Sequence, residues 1–242
     1  RRLELTPAGA KLLTHARSLL MRLERAKRAV RAVDARYREP LRIGVDESTV
    51  QPRLAECLSR WRQLVPDISV ELTEMNAAEL LAALRNEWVD VGFSFGLQDD
   101  DAIAQQAAWH SPMVAILSPK HELAGRQTVS WDELASFPVI AYTSALHPGL
   151  YQQAASILRQ QALSPVIAAE ARTLSGYLTR VAMGQGVGVA DADHMRTLHR
   201  NDIVVLPLAE PAHFTTYVLH KHQRFGLAEP VQRFLTHVCT LT

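Results

Sequence analysis

The chain is poor in the features that mark whole classes of protein. It has two cysteines, Cys57 and Cys239. They are far apart and each sits in an apolar helical pattern, so a disulfide framework is excluded and two buried thiols are expected. Glycine (11) and proline (12) are thinly spread, which argues against fibrous and disordered chains. No window approaches the roughly 18–20 uninterrupted apolar residues of a membrane helix. The opening Arg1-Arg2-Leu3-Glu4-Leu5-Thr6-Pro7-Ala8-Gly9 has no secretory apolar core, so the cytoplasm is the expected compartment, without a membrane partner. Walker A, G-x-S-x-G, H-E-x-x-H and C-x-x-C patterns are all missing, which favours binding over catalysis and implies no cofactor. What remains is 242 residues, 48% apolar and 21% charged, enough for one large or two ordinary domains with real cores.

Net charge is also nearly absent, at +1, but the balance hides an asymmetry. The first 40 residues carry +7 and the remaining 202 carry −6. Such an arm either lies near a polyanion or is a solvated Arg-rich helix, and charge alone does not separate the two. Thr6-Pro7 reads as an N-cap followed by proline at the first helical position. Leu12, Ala16, Leu19, Leu23, Ala26, Val30, Val33 and Tyr37 then recur at alternating spacings of four and three, a coiled-coil seam. A helix of about 30 residues is about 45 Å long, so its stripe needs a partner, most simply the same helix of a second copy. The alternative is a helix laid along its own domain. Pro40 is expected to end it, making Glu39-Pro40 the boundary between residues 1–40 and a body of 41–242.

In the body, short apolar strands alternate with amphipathic helices. Leu41 to Val45, Ile68 to Met75 and Val89 to Phe95 read as strands. Between them lie a helix marked by Val50, Leu54, Cys57, Leu58, Trp61, Leu64 and Val65, and one opened by the capping box Asn76…Glu79. This is the α/β class, with crossovers and a parallel sheet. After Met113 to Leu117 a second cycle begins: a Ser130…Glu133 capping box, a strand at 139–142, a helix from Pro148 and a strand at 166–171. A helix stopped by Gly184 and a strand at 187–190 complete it. A strand at 215–220 and a helix at 229–238 resemble a return to the first unit, so lobe I is about 41–117 plus 215–242, and lobe II about 118–214. Ligands of open α/β sheets bind beyond the carboxyl ends of strands, here Asp46 to Thr49, Phe93 to Leu97, Tyr142 to His147 and Ala190 to Asp191.

Gly184-Gln185-Gly186-Val187-Gly188 follows a helix and enters a strand, the reverse of a dinucleotide fingerprint, so it reads as a helix stop and turn. Metal flavour is confined to His220-Lys221-His222 and to Asp191, Asp193 and His194; paired surface histidines are usually bland, and no metal site is assigned.

Together the arm and the body resemble the LysR-type transcriptional regulators. The opening nine residues look like that family's last wing strand and linker helix. Leu41 to Val45, Pro66-Asp67-Ile68-Ser69-Val70, Glu74-Met75, Val89 to Phe93, Leu117 to Ala124 and Val181 to Val189 follow in similar order and spacing. The resemblance implies two Rossmann-like lobes of periplasmic-binding-protein type 2 architecture, an effector cleft between them and a preceding dimerisation helix. A dimer through that helix and a tetramer of two dimers follow. DNA is the partner of the full-length protein, but this chain begins inside the wing and is expected to have little specific DNA binding itself. The resemblance places the effector at Ser48 and Thr49, at Asn76 and Ala77, at Phe95 and Gly96, at Tyr142, Thr143 and Ser144, and at Val187, Val189 and Asp191. Relatives that sense aromatic acids use an arginine near Phe95, a threonine near Ala77 and a proline near Asp191, none of which is present. The implied effector is a small organic molecule with an aromatic or polar body. A solute-binding protein of the same architecture and an α/β enzyme are the alternatives.

Overall fold

The structure is a computed structural model describing residues 6–32, 39–46, 49, 52–96, 100–222 and 227–240. Thr6 Oγ1 accepts a hydrogen bond from the Gly9 N–H at 3.1 Å and Pro7 occupies the first helical position, so helix α1 (Pro7–Ala32) starts where its cap dictates. Leu12, Leu19, Leu23 and Val30 are 70, 67, 51 and 73% exposed. Ala26 is exposed and Ala16 half-buried. The seam is therefore uncovered by this chain's own body along its described length. Val33 and Tyr37 lie outside the described residues.

Strand β1 (Leu41–Asp46) is flanked by β2 (Val70–Met75) and β3 (Val91–Ser94), both parallel to it, with Ile43 opposite Leu72 and Val91. Helices α2 (Pro52–Leu64) and α3 (Ala77–Arg85) form the crossovers. Leu54, Cys57 and Trp61 of α2 pack with Val231, Phe234 and Val238 of the carboxyl-terminal helix, Glu229–Cys239, while Leu80 and Leu84 of α3 join a separate cluster with Leu219. The Asn76 capping box forms as expected: its Oδ1 accepts from the Glu79 N–H and the Glu79 carboxylate accepts from the Asn76 N–H, both at 3.0 Å. Arg42 grips Asp90 through Nη2 at 2.7 Å and Nε at 3.1 Å, pinning β1 to the turn before β3.

The sheet is mixed, which corrects the parallel one expected. Strand β4 (Ile103–Leu117) and the later strand His213–Lys221 run antiparallel to each other, and the latter also runs antiparallel to β3. These two strands carry the chain between lobes. Up to Pro112, β4 pairs with His213–Lys221; Met113 to Leu117 pair instead with Gly188–Asp191 and Val204–Pro207. The passage between lobes thus lies inside one long strand.

Lobe II is built on that half of β4. Its elements are α4 (Trp131–Ala135), β5 (Val139–Tyr142), α5 (Pro148–Gln160), β6 (Ile167–Ala171), α6 (Leu174–Ala182), β7 (Gly188–Asp191), α7 (Ala192–Thr197) and β8 (Val204–Pro207). The return strand His213–Lys221 is β9 and the last helix α8 (Glu229–Cys239). Strands β5 and β6 are parallel, and β5 is tied to the start of β7 by a bridge from Val139 to Val187. The Ser130 cap of α4 forms a full capping box with Glu133. Gly184 closes α6 at φ 76°, a left-handed conformation open to glycine without steric cost.

Three local expectations fail because partners decide burial. Cys239 is exposed at the end of α8, whereas Cys57 is buried and its thiol is pushed up to about 12 by that burial. Leu64 is 65% exposed, since the inner face of α2 ends at Trp61 and the turn carries Val65 inward instead. The alternation of Ile68 to Met75 predicts a strand with one face inside, but β2, as a sheet edge, exposes Glu71 through Glu74, and Leu72 among them.

Candidate functional site

Helix α5 is capped by no side chain and enters at Pro148. Its only fully buried residue is Leu150, although it lies over a sheet that should be covered. The consequence is a cavity of about 180 Å³. Its wall includes Leu150, Tyr151, Ala154, Ala155 and Leu158 from α5, Trp131 and Leu134 from α4, and Tyr142, Ile167, Val187, Val189 and Asp191 from the strands. Phe95 and Phe214 close the end nearest lobe I, their ring centroids 5.5 Å apart.

The polar members are few and their surroundings push them toward neutrality. Tyr142 and Tyr177 stack at 4.5 Å and 11°. Burial lifts both phenols well above their usual range. The Tyr177 hydroxyl donates to the Val189 carbonyl at 3.0 Å and accepts from the Val189 N–H at 2.9 Å, which ties α6 to β7. Burial also raises the Asp191 carboxyl, against the hydrogen bond it accepts from the His194 N–H, and lowers the neighbouring His194 imidazole.

The expected residues separate into two groups. Phe95, Tyr142, Val187, Val189 and Asp191 meet in the cavity wall. Thr49, Asn76, Ala77, Gly96, Thr143 and Ser144 are not in it, and Ser48 lies outside the described residues. Thr49 is fully buried and its hydroxyl faces the carbonyls of Asp46 at 2.8 Å and Phe93 at 3.2 Å, so it stitches the ends of β1 and β3 together. Asn76 is engaged in its capping box. Thr143 makes the turn after β5, accepting on its carbonyl from the N–H groups of Leu146 and His147, and Ser144 is exposed.

Those remaining strand ends are filled by α5 itself. His147 lies with Nδ1 3.8 Å from the Asp46 carboxylate, both groups buried. The Gln153 amide donates to the carbonyls of Phe95 at 2.5 Å and Thr215 at 2.7 Å, and its oxygen accepts from the Thr215 N–H at 2.8 Å. Gly149 sits so close to lobe I that a Cβ there would be 2.3 Å from the Gly96 carbonyl oxygen. On another side of the junction Arg53 of α2 pairs with Asp193 of α7 at 3.0 Å. One helix therefore roofs the cavity and latches the lobes. The sequence predicts the helix from Pro148 and singles out His194, but not that the helix roofs the cavity or that His194 lines it, because those roles depend on what lies opposite them. The one local signal was the adjacent Ala154 and Ala155, too small to fill the space beneath a helix.

Among the described residues no group of His, Cys, Asp and Glu could hold a metal, and His220 and His222 simply face one another at 6.3 Å. No helix of the described residues is long and apolar enough to cross a membrane.

Two α/β lobes joined by two long strands, with an apolar cavity beneath α5 in lobe II that Phe95 reaches from lobe I, have periplasmic-binding-protein type 2 architecture. The family model for the LysR substrate binding domain matches residues 34–240, and the chain belongs to that family. It is the effector-sensing part of a transcriptional regulator. It is 28% identical over 98% of its length to the HTH-type transcriptional regulator CatR of Pseudomonas putida, covering 80% of that protein. In fold it is similar to CbnR, a LysR family regulator, with a TM-score of 0.83 at 18% identity, over 98% of this chain and 82% of that one. It is also similar to the effector-binding domain of BenM with its effector benzoate, with a TM-score of 0.73 at 21% identity, over 84% and 91% of the two chains.

Proposed function

We propose that this chain binds a small organic effector in the cavity beneath α5 and converts its occupancy into a change in how the two lobes meet. One observation carries the reading: the helix that roofs the cavity through Leu150, Ala154 and Leu158 is the helix whose Gly149 and Gln153 rest on lobe I. A guest that lifts or seats α5 necessarily alters the latch. By linkage, only a guest with unequal affinity for the latched and released arrangements acts as a signal.

The rest of the reading concerns the assembly. The bare seam of α1, including Leu12, Leu19, Leu23 and Val30, pairs with the same helix of a second copy, and two such dimers form a tetramer in the cytoplasm. In the full-length regulator the effector then changes how the assembly engages DNA, and transcription with it. BenM, with a related fold, takes benzoate as its effector.

The test is a melting-temperature screen of this chain against small aromatic and aliphatic metabolites, since a ligand of the folded state raises apparent stability by mass action. Binding that is lost when Ala155→Trp fills the cavity supports the reading. Binding that survives the substitution refutes it.

A further inference from the structure

We infer that Asp191 selects the charge of the guest, so that this cavity accepts a small molecule with an apolar, aromatic-sized body bearing one protonated amine. The inference rests on the cavity being the effector site and names what that site prefers.

Asp191 ends β7, lines the cavity and is 7% exposed. Its Oδ1 accepts from the His194 N–H at 2.9 Å and thereby caps α7. Its Oδ2 is enclosed, and the Ser111 hydroxyl and the Asp193 N–H stand beside the carboxylate as neutral donors. A carboxylate enclosed at the edge of an apolar cavity carries a desolvation cost that neutral donors offset only in part and a cation offsets further. Among the described residues the same wall contains no lysine or arginine. Arg53 and Arg196, the nearby cations, are both engaged by Asp193. His194, the other titratable group in the wall, is pushed toward its neutral form by burial.

These facts sort guests by charge. A carboxylate guest would bring a second negative charge beside Asp191 with no cation to receive it. A neutral guest would bring no counter-charge to the carboxylate. An ammonium group would lie against the Asp191 carboxylate and near the rings of Tyr142 and Tyr177, whose electron-rich faces attract cations. The apolar body would fill the space between Leu150, Ala154, Val189 and Phe214. The cost of ionising Asp191 inside the protein is then recovered on binding, which makes selectivity steep rather than marginal.

Isothermal titration of this chain near neutral pH with benzylamine, benzyl alcohol and benzoate, three probes of similar size, tests it. Benzylamine is expected to bind at least about tenfold tighter than benzyl alcohol, with benzoate weakest. Asp191→Asn keeps the helix cap and should weaken benzylamine at least about tenfold while leaving benzyl alcohol within about threefold. Benzylamine no tighter than benzyl alcohol, or unaffected by Asp191→Asn, overturns the inference. Ala155→Trp, or Ala154→Phe if the first does not fold, separates this from failure of the site. Benzyl alcohol binding that these fillers abolish, without an amine preference, overturns the charge selection and leaves the cavity as the site. Absence of binding by every probe, or binding that survives the fillers, overturns both.

Discussion

Gly149→Ala tests the latch most directly, because the clash it creates involves only backbone. An added methyl would lie 2.3 Å from the Gly96 oxygen, 2.7 Å from the Phe95 carbonyl carbon and 2.8 Å from the Phe95 oxygen. Ordinary contact begins near 3.4 Å, so α5 and the end of β3 must part by about 1 Å. Alanine suits a helix better than glycine, so local conformation opposes the loss slightly. Overpacking of this kind costs about 1–3 kcal/mol. Parting also stretches the three Gln153 hydrogen bonds at 2.5, 2.7 and 2.8 Å, each worth about 0.5–1.5 kcal/mol. The expected destabilisation is about 2–4 kcal/mol, a fall in Tm of about 4–16 °C for a domain of this size. Urea unfolding and calorimetry read it, with Gly125→Ala as the control because a Cβ there meets nothing within 4 Å. If the latch has already opened, adding Gln153→Ala to Gly149→Ala should cost almost nothing more. Full additivity of the two, or wild-type stability of Gly149→Ala, would refute the reasoning.

Other consequences can be checked with less effort. Leu19→Glu should leave the unfolding midpoint of the lobes within about 0.5 kcal/mol, since the side chain is exposed on the single chain. It should nevertheless weaken self-association at least about 100-fold in sedimentation experiments, because two apolar side chains are lost per dimer; an unchanged sedimentation coefficient would remove the seam from the interface. Of the two thiols, Cys239 should react with Ellman's reagent in the native state and Cys57 only on unfolding, because burial pushes Cys57 up to about 12 and leaves almost no thiolate near pH 8. For Asp191 the carboxyl is raised above its usual 3.8 by burial, so the folded chain favours the protonated form. That contribution is complete below the unfolded value and is lost as pH rises through the folded one. With Asp193, His194, Arg53 and Arg196 unchanged, Asp191→Asn should therefore exceed wild type in stability near pH 7, the gap closing as pH falls toward about 4. A gap that widens on acidification would contradict the burial argument.

What the amino-acid order by itself determined were features whose causes lie within one or two turns of chain. The Thr6-Pro7 start, the two capping boxes at Asn76 and Ser130 and the Gly184 stop are contacts between residues three or four apart, so their spacing is their mechanism. The seam of α1 was legible for the same reason, as a helix repeats its face at fixed intervals. Sheet polarity, the exposure of Cys239 and Leu64, and the edge position of β2 were settled only by which elements became neighbours. The division of the site residues has the same origin. Phe95, Tyr142, Val187, Val189 and Asp191 come from three separate segments and meet only because β4 and β9 fold the lobes together. Thr49 and Asn76, although at strand ends, spend their polar atoms on their own backbone. Helix α5 decided the rest: its contacts at Gly149 and Gln153 reach residues more than 50 positions away. No local pattern encodes a fit between surfaces so distant along the chain, because the steric match exists only once both are in place.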